Sequence, residues 1–115
     1  MNEADVVLTP VPQADGRIKL RPALILRKMP GRYRDMLVCG VSTQIHHCIP
    51  EFDEVVSPRD DDFLKTGLLK ESLIRLGYLA VIPTNKIAGS IGNISRERYR
   101  RLIHRLSKYL LHDMD

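Results

Sequence analysis

Short apolar runs separated by Pro, Gly and charged residues fill the first half of the chain: Val6-Val7-Leu8, Ala23-Leu24-Ile25-Leu26 and Met36-Leu37-Val38-Cys39-Gly40-Val41. This spacing predicts the strands of a sandwich or barrel. Asp15-Gly16 predicts a tight turn, and Met29-Pro30-Gly31-Arg32 a second one, so the three runs form a meander. The stretch from Ser72 to Ile82 is long for one strand; Gly77 predicts a bulge or bend within it, and Pro83 ends its pairing. From Ser95 the period changes to 3.6, with Tyr99, Leu102, Ile103, Leu106 and Leu110 on one stripe. Ser95 suits the N-cap and Glu97 the positive end of the dipole, which predicts a terminal helix of about four turns packed on the sheet. Residues 48–66 have poor periodicity and read as an irregular acidic connection. The expected fold class is α+β, mostly β: a small, strongly curved barrel with a C-terminal helix, in one domain over residues 1–115.

Composition narrows the setting. No apolar stretch approaches the roughly 18 to 20 residues that span a bilayer, and the N-terminus lacks a basic-then-apolar layout, so a cytoplasmic protein with no membrane partner is expected. Two cysteines are too few for a disulfide scaffold, and Cys39 reads as a small buried hydrophobe. Aromatic residues make up 5% with no Trp, so contact with nucleic acid would rest mainly on charge rather than on a stacking platform. The formal charge is +4, unevenly spread. Residues 1–50 carry seven basic and four acidic side chains, residues 51–72 three and seven, and residues 73–115 eight and three. Two basic ends thus flank an acidic middle that either repels polyanions or pairs internally.

Alternation along the third run puts Leu37, Cys39, Val41 and Thr43 on one face, the expected core side, and Met36, Val38, Gly40 and Ser42 on the other. Ser42 then emerges outward beyond Gly40, either presenting its hydroxyl or satisfying its own turn. Arg21, held extended by Pro22, shares a side with Ala23, Ile25 and Arg27. With Arg17 and Lys19 nearby, these arginines form either a polyanion-binding row or a solvated edge. Adjacent His46, His47 and Cys48 lack the spacing of zinc ligands, and Asp60-Asp61-Asp62 lacks that of a calcium loop and reads as solvated charge; no metal or other cofactor is expected. Arg96, Arg100, Arg101, Arg105 and Lys108 line the polar helix face, either solvated or holding RNA or an acidic partner.

Several segments, taken in order, resemble motifs of the MazF/PemK family of toxin–antitoxin ribonucleases. Asp5-Val-Val-Leu is similar to the family's opening strand, and Leu20-Arg-Pro-Ala-Leu-Ile-Leu26 to its RPALVL strand. Val38-Cys-Gly-Val-Ser-Thr-Gln44 resembles its VxxITSQ strand, residues 67–76 (GLLKESLIRL) its GLxxxSVVRL segment, and Ile91-Gly-Asn-Ile-Ser95 its IGxLS turn into the last helix. The resemblance implies an SH3-like barrel of CcdB/PemK type and a homodimer with single-stranded RNA across the two-fold. It also implies sequence-specific, metal-independent cleavage that leaves 2′,3′-cyclic phosphate and 5′-hydroxyl ends, and neutralisation by a cognate antitoxin. Through the matched motifs, the catalytic arginine falls on Arg21 and the catalytic hydroxyl on Ser42, where the family usually has Thr. Thr43 and Gln44 complete that strand end, and with Arg75 and the basic-row residues Arg17 and Lys19 they are the expected RNA-binding residues. The alternative is a non-catalytic, CcdB-like barrel that binds a protein such as gyrase.

Overall fold

The structure is a computed structural model, and it describes residues 1–112; the last three residues of the expected domain lie outside the described part. Six strands form one antiparallel sheet in the order β4-β5-β3-β2-β1-β6: β1 (Asp5–Pro12), β2 (Ile18–Lys28), β3 (Met36–Ser42), β4 (Glu54–Val56), β5 (Ser72–Ile82) and β6 (Gly89–Asn93). A one-turn helix, α1 (Phe63–Thr66), precedes β5, and α2 (Arg96–Leu110) ends the chain. This is the mostly-β curled barrel with a terminal helix that the apolar pattern implies, of the SH3-like type that the resemblance implies.

The meander follows from local chemistry. Gly16 at φ +85° turns β1 into β2, with the Asp15 carboxylate accepting the Arg17 N–H at 2.9 Å. Ser95 caps α2, its hydroxyl accepting the Arg98 N–H at 3.1 Å, and the apolar stripe buries Leu102 and Leu106 with Val6, Leu24, Leu26, Cys39, Ile74 and Ile94. Burial pushes the Cys39 thiol up to about 12, as befits a side chain used only for packing.

Strand β3 corrects the single-sided reading. Cys39 and Val41 face the α2 core, yet Met36 and Val38 are also buried, in a second cluster with Val7, Ala23, Ile25 and Ile87. A central strand covered on both sides has no outer face until its end, where Gly40 and Ser42 become half-exposed.

Three register shifts break the regular pairing, one between β1 and β6 at Ile91 and two on the site strands. Ile25 pairs with Val38 but Arg27 with Leu37, so Leu26 is an extra residue, and its carbonyl accepts the Tyr99 hydroxyl at 2.6 Å. In β5, Gly40 pairs with Arg75 while Cys39 pairs with Leu79, so residues 76–78 stand out of the ladder around Gly77, where a bulge is expected. The Asp53 carboxylate accepts the Leu76 N–H at 3.0 Å inside this bulge. Strand β6, absent from the sequence reading, pairs with β1. Ile91-Gly92-Asn93 is therefore strand rather than turn, and residues 48–66 contain β4 and α1 rather than wholly irregular chain.

Candidate active site

The half-exposed end of the β2–β3–β5 face forms a groove of about 430 Å³ whose lining includes Thr9, Arg21, Gly40, Tyr78 and Ile82. Ala23, Gly40 and Arg75 pair directly across β2, β3 and β5 and therefore project on one face. Pairing between β2 and β3 ends at Ala23–Gly40; two residues beyond it on their own strands, Arg21 and Ser42 fall by alternation on that same face, Arg21 lining the groove and Ser42 lying outside its lining. The guanidinium and the hydroxyl thus belong to adjacent strands and to one side of the sheet. Lys19 shares the phase of Arg21, whereas Arg17 lies in the turn and pairs with Asp15 at 3.8 Å, both exposed.

Ser42 also serves its turn: its Oγ accepts the Gln44 N–H at 3.0 Å. That bond uses a lone pair and leaves the O–H free to donate to an incoming oxygen. Thr43 and Gln44 are exposed just beyond it, and Gln44 opens the turn Ile45–His47. Arg75 is half-buried, with its guanidinium carbon 3.7 Å from the centroid of the Tyr78 ring.

Arg27 does not join this row. The extra residue at Leu26 reverses the alternation, so Arg27 pairs with Leu37, whose face packs on the α2 core, and reaches Glu3 at 4.0 Å. Apolar runs such as Ala23-Leu24-Ile25-Leu26 hide a bulge because every position is buried whichever way it points.

The acidic segment is only partly solvated: Asp61 is exposed, whereas Asp60 and Asp62 are paired. Arg98, passed over by the sequence reading, is buried and donates to five acceptors. Nε and one Nη reach the two oxygens of Asp62 at 2.9 and 3.0 Å, while Asp60 and Glu54 accept at 2.8 Å and the Val55 carbonyl at 3.2 Å. Arg101 and Arg105 also pair with Glu54, at 2.8 and 3.2 Å. Burial by itself would raise the Asp62 carboxyl, but the Arg98 guanidinium and the Ser95 N–H outweigh it and hold it below the usual carboxylate range. The signal available in advance was Arg98 four residues before Leu102, beside the apolar stripe, in a chain with a concentrated acidic block.

A larger cavity of about 650 Å³ opens beside this network, and Asp60, Asp62, Arg98 and Arg101 of its lining are spent on the network. Charge is thereby sorted. Glu54, Asp60 and Asp62 are neutralised on the α2 side, and Lys19, Arg21 and Arg75 have no carboxylate partners among the described residues.

A family model described as PemK-like, MazF-like toxin of type II toxin–antitoxin systems matches residues 2–110. The chain belongs to this family. Among solved structures, this PemK-like toxin resembles the Mycobacterium tuberculosis toxin MazF-mt6, with a TM-score of 0.66 at 18% identity over 96% of this chain and 99% of that one. That likeness speaks for the fold. A search of curated proteins finds no match. A type II toxin has an antitoxin partner, and no helix among the described residues of this toxin is long and apolar enough to cross a membrane.

Proposed function

We propose that the protein is a sequence-specific endoribonuclease toxin that cuts single-stranded RNA through attack of the ribose 2′-hydroxyl on the adjacent phosphorus. Attack closes a 2′,3′-cyclic phosphate and expels the 5′-oxygen, which leaves as a hydroxyl once protonated. The nucleophile is supplied by the substrate, so the protein has to align the attack, stabilise the charge gathering on the phosphoryl oxygens and assist proton transfer, tasks that need no metal ion.

What supports this reading is that Arg21 and Ser42, on neighbouring strands, fall on one face of the sheet by alternation from the Ala23–Gly40 pair. Arg21 pairs its forked donors with the phosphoryl oxygens as charge develops. Ser42 donates its free O–H to a phosphoryl oxygen or to the leaving group. Lys19, Arg17, Thr43, Gln44 and Arg75 hold the neighbouring nucleotides. The toxin works in the cytoplasm as a homodimer with RNA across its two-fold axis, and a cognate antitoxin covers the groove.

The test is purified protein incubated with mixed-sequence single-stranded RNA in EDTA. Discrete cuts bearing cyclic-phosphate ends are expected, and a 2′-deoxy nucleotide at the cut position abolishes them. RNA left intact by a protein whose expression arrests growth would overturn the reading in favour of a gyrase-type protein target.

A further inference from the structure

Two arginines are drawn into the fold, with opposite outcomes. Arg98 has all its donors satisfied, whereas the Arg75 Nε–H is buried and has no partner. A buried donor without an acceptor is uncommon in a native structure and points to a ligand or to stored strain. Arg75 is not loose, however. Its guanidinium lies over the Tyr78 ring at 3.7 Å, an arrangement that fixes the plane of the fork while leaving its edge to donate.

The fold goes to some length to produce this stack. Tyr78 closes the β5 bulge, and Asp53 holds that bulge through the Leu76 N–H. Tyr78 sits directly over β3, where a Cβ at Gly40 would meet the Tyr78 Cβ at 3.4 Å, an ordinary contact. Tyr78 is 60% exposed, so the ring is not there to fill a core. Both residues belong to the groove face that carries Arg21 and Ser42, with Arg75 two strand spacings, about 10 Å, from the β2 row. Arg75 therefore stands to one side of the Arg21–Ser42 pair, beyond β3.

We infer that Tyr78 is a positioning residue: its ring holds the Arg75 guanidinium so that Arg75 grips a phosphate of the RNA strand beside the one bound by Arg21 and Ser42. The inference rests on the nuclease reading above. Arg75 is the binding group, and Tyr78 acts only through it. Tyr78→Phe keeps the ring and therefore the grip, whereas Tyr78→Leu releases the fork.

The experiment is equilibrium binding of a 2′-O-methyl single-stranded RNA, which lacks the attacking hydroxyl, followed by anisotropy from about 50 to 200 mM salt with the full chain. Thermal melting of each variant is recorded alongside, and the exposed ring predicts that Tyr78→Leu folds normally. Arg75→Ala and Tyr78→Leu are each expected to weaken binding about tenfold, and Arg75→Ala to lower the salt slope by about one, the signature of one lost phosphate contact. Tyr78→Phe should bind as the wild type, and Arg75→Ala/Tyr78→Leu no worse than Arg75→Ala. Tyr78→Leu matching the wild type would overturn the inference, as would a Tyr78→Leu loss that persists undiminished without Arg75, which means the ring touches RNA itself. An unchanged salt slope in Arg75→Ala would also overturn it, assigning Arg75 to a base edge. A wild-type protein that cuts RNA while Tyr78→Leu is unaffected removes this inference alone; one that neither binds nor cuts RNA removes the nuclease reading with it.

Discussion

Replacing Arg98 with Met tests the charge sorting that leaves the groove basic. The substitution keeps most of the aliphatic stem and removes all five donors. Glu54 retains Arg101 and Arg105, and Asp60, about one-third exposed, retains the Ser57 N–H. Asp62 is left buried with only the Ser95 N–H. Breaking a buried pair on one side costs about 3–5 kcal/mol, and since one carboxylate out of three is stranded, the low end, about 3 kcal/mol, is expected at neutral pH. For a domain of this size that corresponds to a melting temperature lower by about 12 °C.

The pH dependence has a definite sign. In the wild type, the folded Asp62 is held below its ordinary value, so its contribution is present above the unfolded pKa of about 3.9 and disappears as pH falls through the lower folded value. Without Arg98 only burial acts strongly, which raises the carboxyl, so Asp62 opposes folding at neutral pH and stops opposing it once protonated. Urea unfolding at fixed protein concentration should therefore show a wild-type advantage of about 3 kcal/mol at pH 7 that narrows toward pH 3.5. The companion variant Arg98→Met/Asp62→Leu should recover part of the loss. A difference below about 1 kcal/mol at pH 7, or one that widens toward pH 3.5, would refute the assignment of Asp62 as a buried, Arg98-dependent carboxylate.

Gly92→Ala should lower stability by roughly 1–3 kcal/mol, because a Cβ there runs into the backbone of Lys65 and Thr66, and a melting temperature equal to the wild type would contradict that close packing. Thiol labelling of the native protein at pH 8 should consume one cysteine per chain: Cys48 is half-exposed, whereas Cys39 is buried with its thiol pushed up to about 12. Two equally fast thiols would show that the α2 core opens readily.

Legibility in the sequence tracked how much each feature depends on local pattern. The β1–β2 turn, the full extent of β5 and the Ser95-capped helix were readable because each carries its own signal in turn residues, alternation or a 3.6-residue stripe. Strand β6 carries none: Gly89-Ser90-Ile91-Gly92-Asn93 is a strand because β1 offers it backbone partners. Its Gly92 and the α1-terminating Gly67 (φ +72°) bring the two segments into backbone contact, a tertiary fact that no one-dimensional period reports. The bulge at Leu26 escaped for a related reason, and with it the misplacement of Arg27. In the candidate site, Arg21 and Ser42 are proposed through the motifs that carry them, and alternation from Ala23 and Gly40 puts them on a common face. Tyr78 was missed because its role depends on a bulge three residues long that brings its ring against the Arg75 guanidinium.

The most direct test of the account is single-turnover cleavage of a single-stranded RNA in EDTA by the wild type, Arg21→Ala and Ser42→Ala, at protein concentrations that saturate the RNA. Discrete cutting by the wild type is predicted, with each substitution slowing it by about 100-fold or more, the loss typical of removing one donor to developing charge. Cutting by Arg21→Ala at the wild-type rate would contradict the claim that this guanidinium and the Ser42 hydroxyl serve one phosphate.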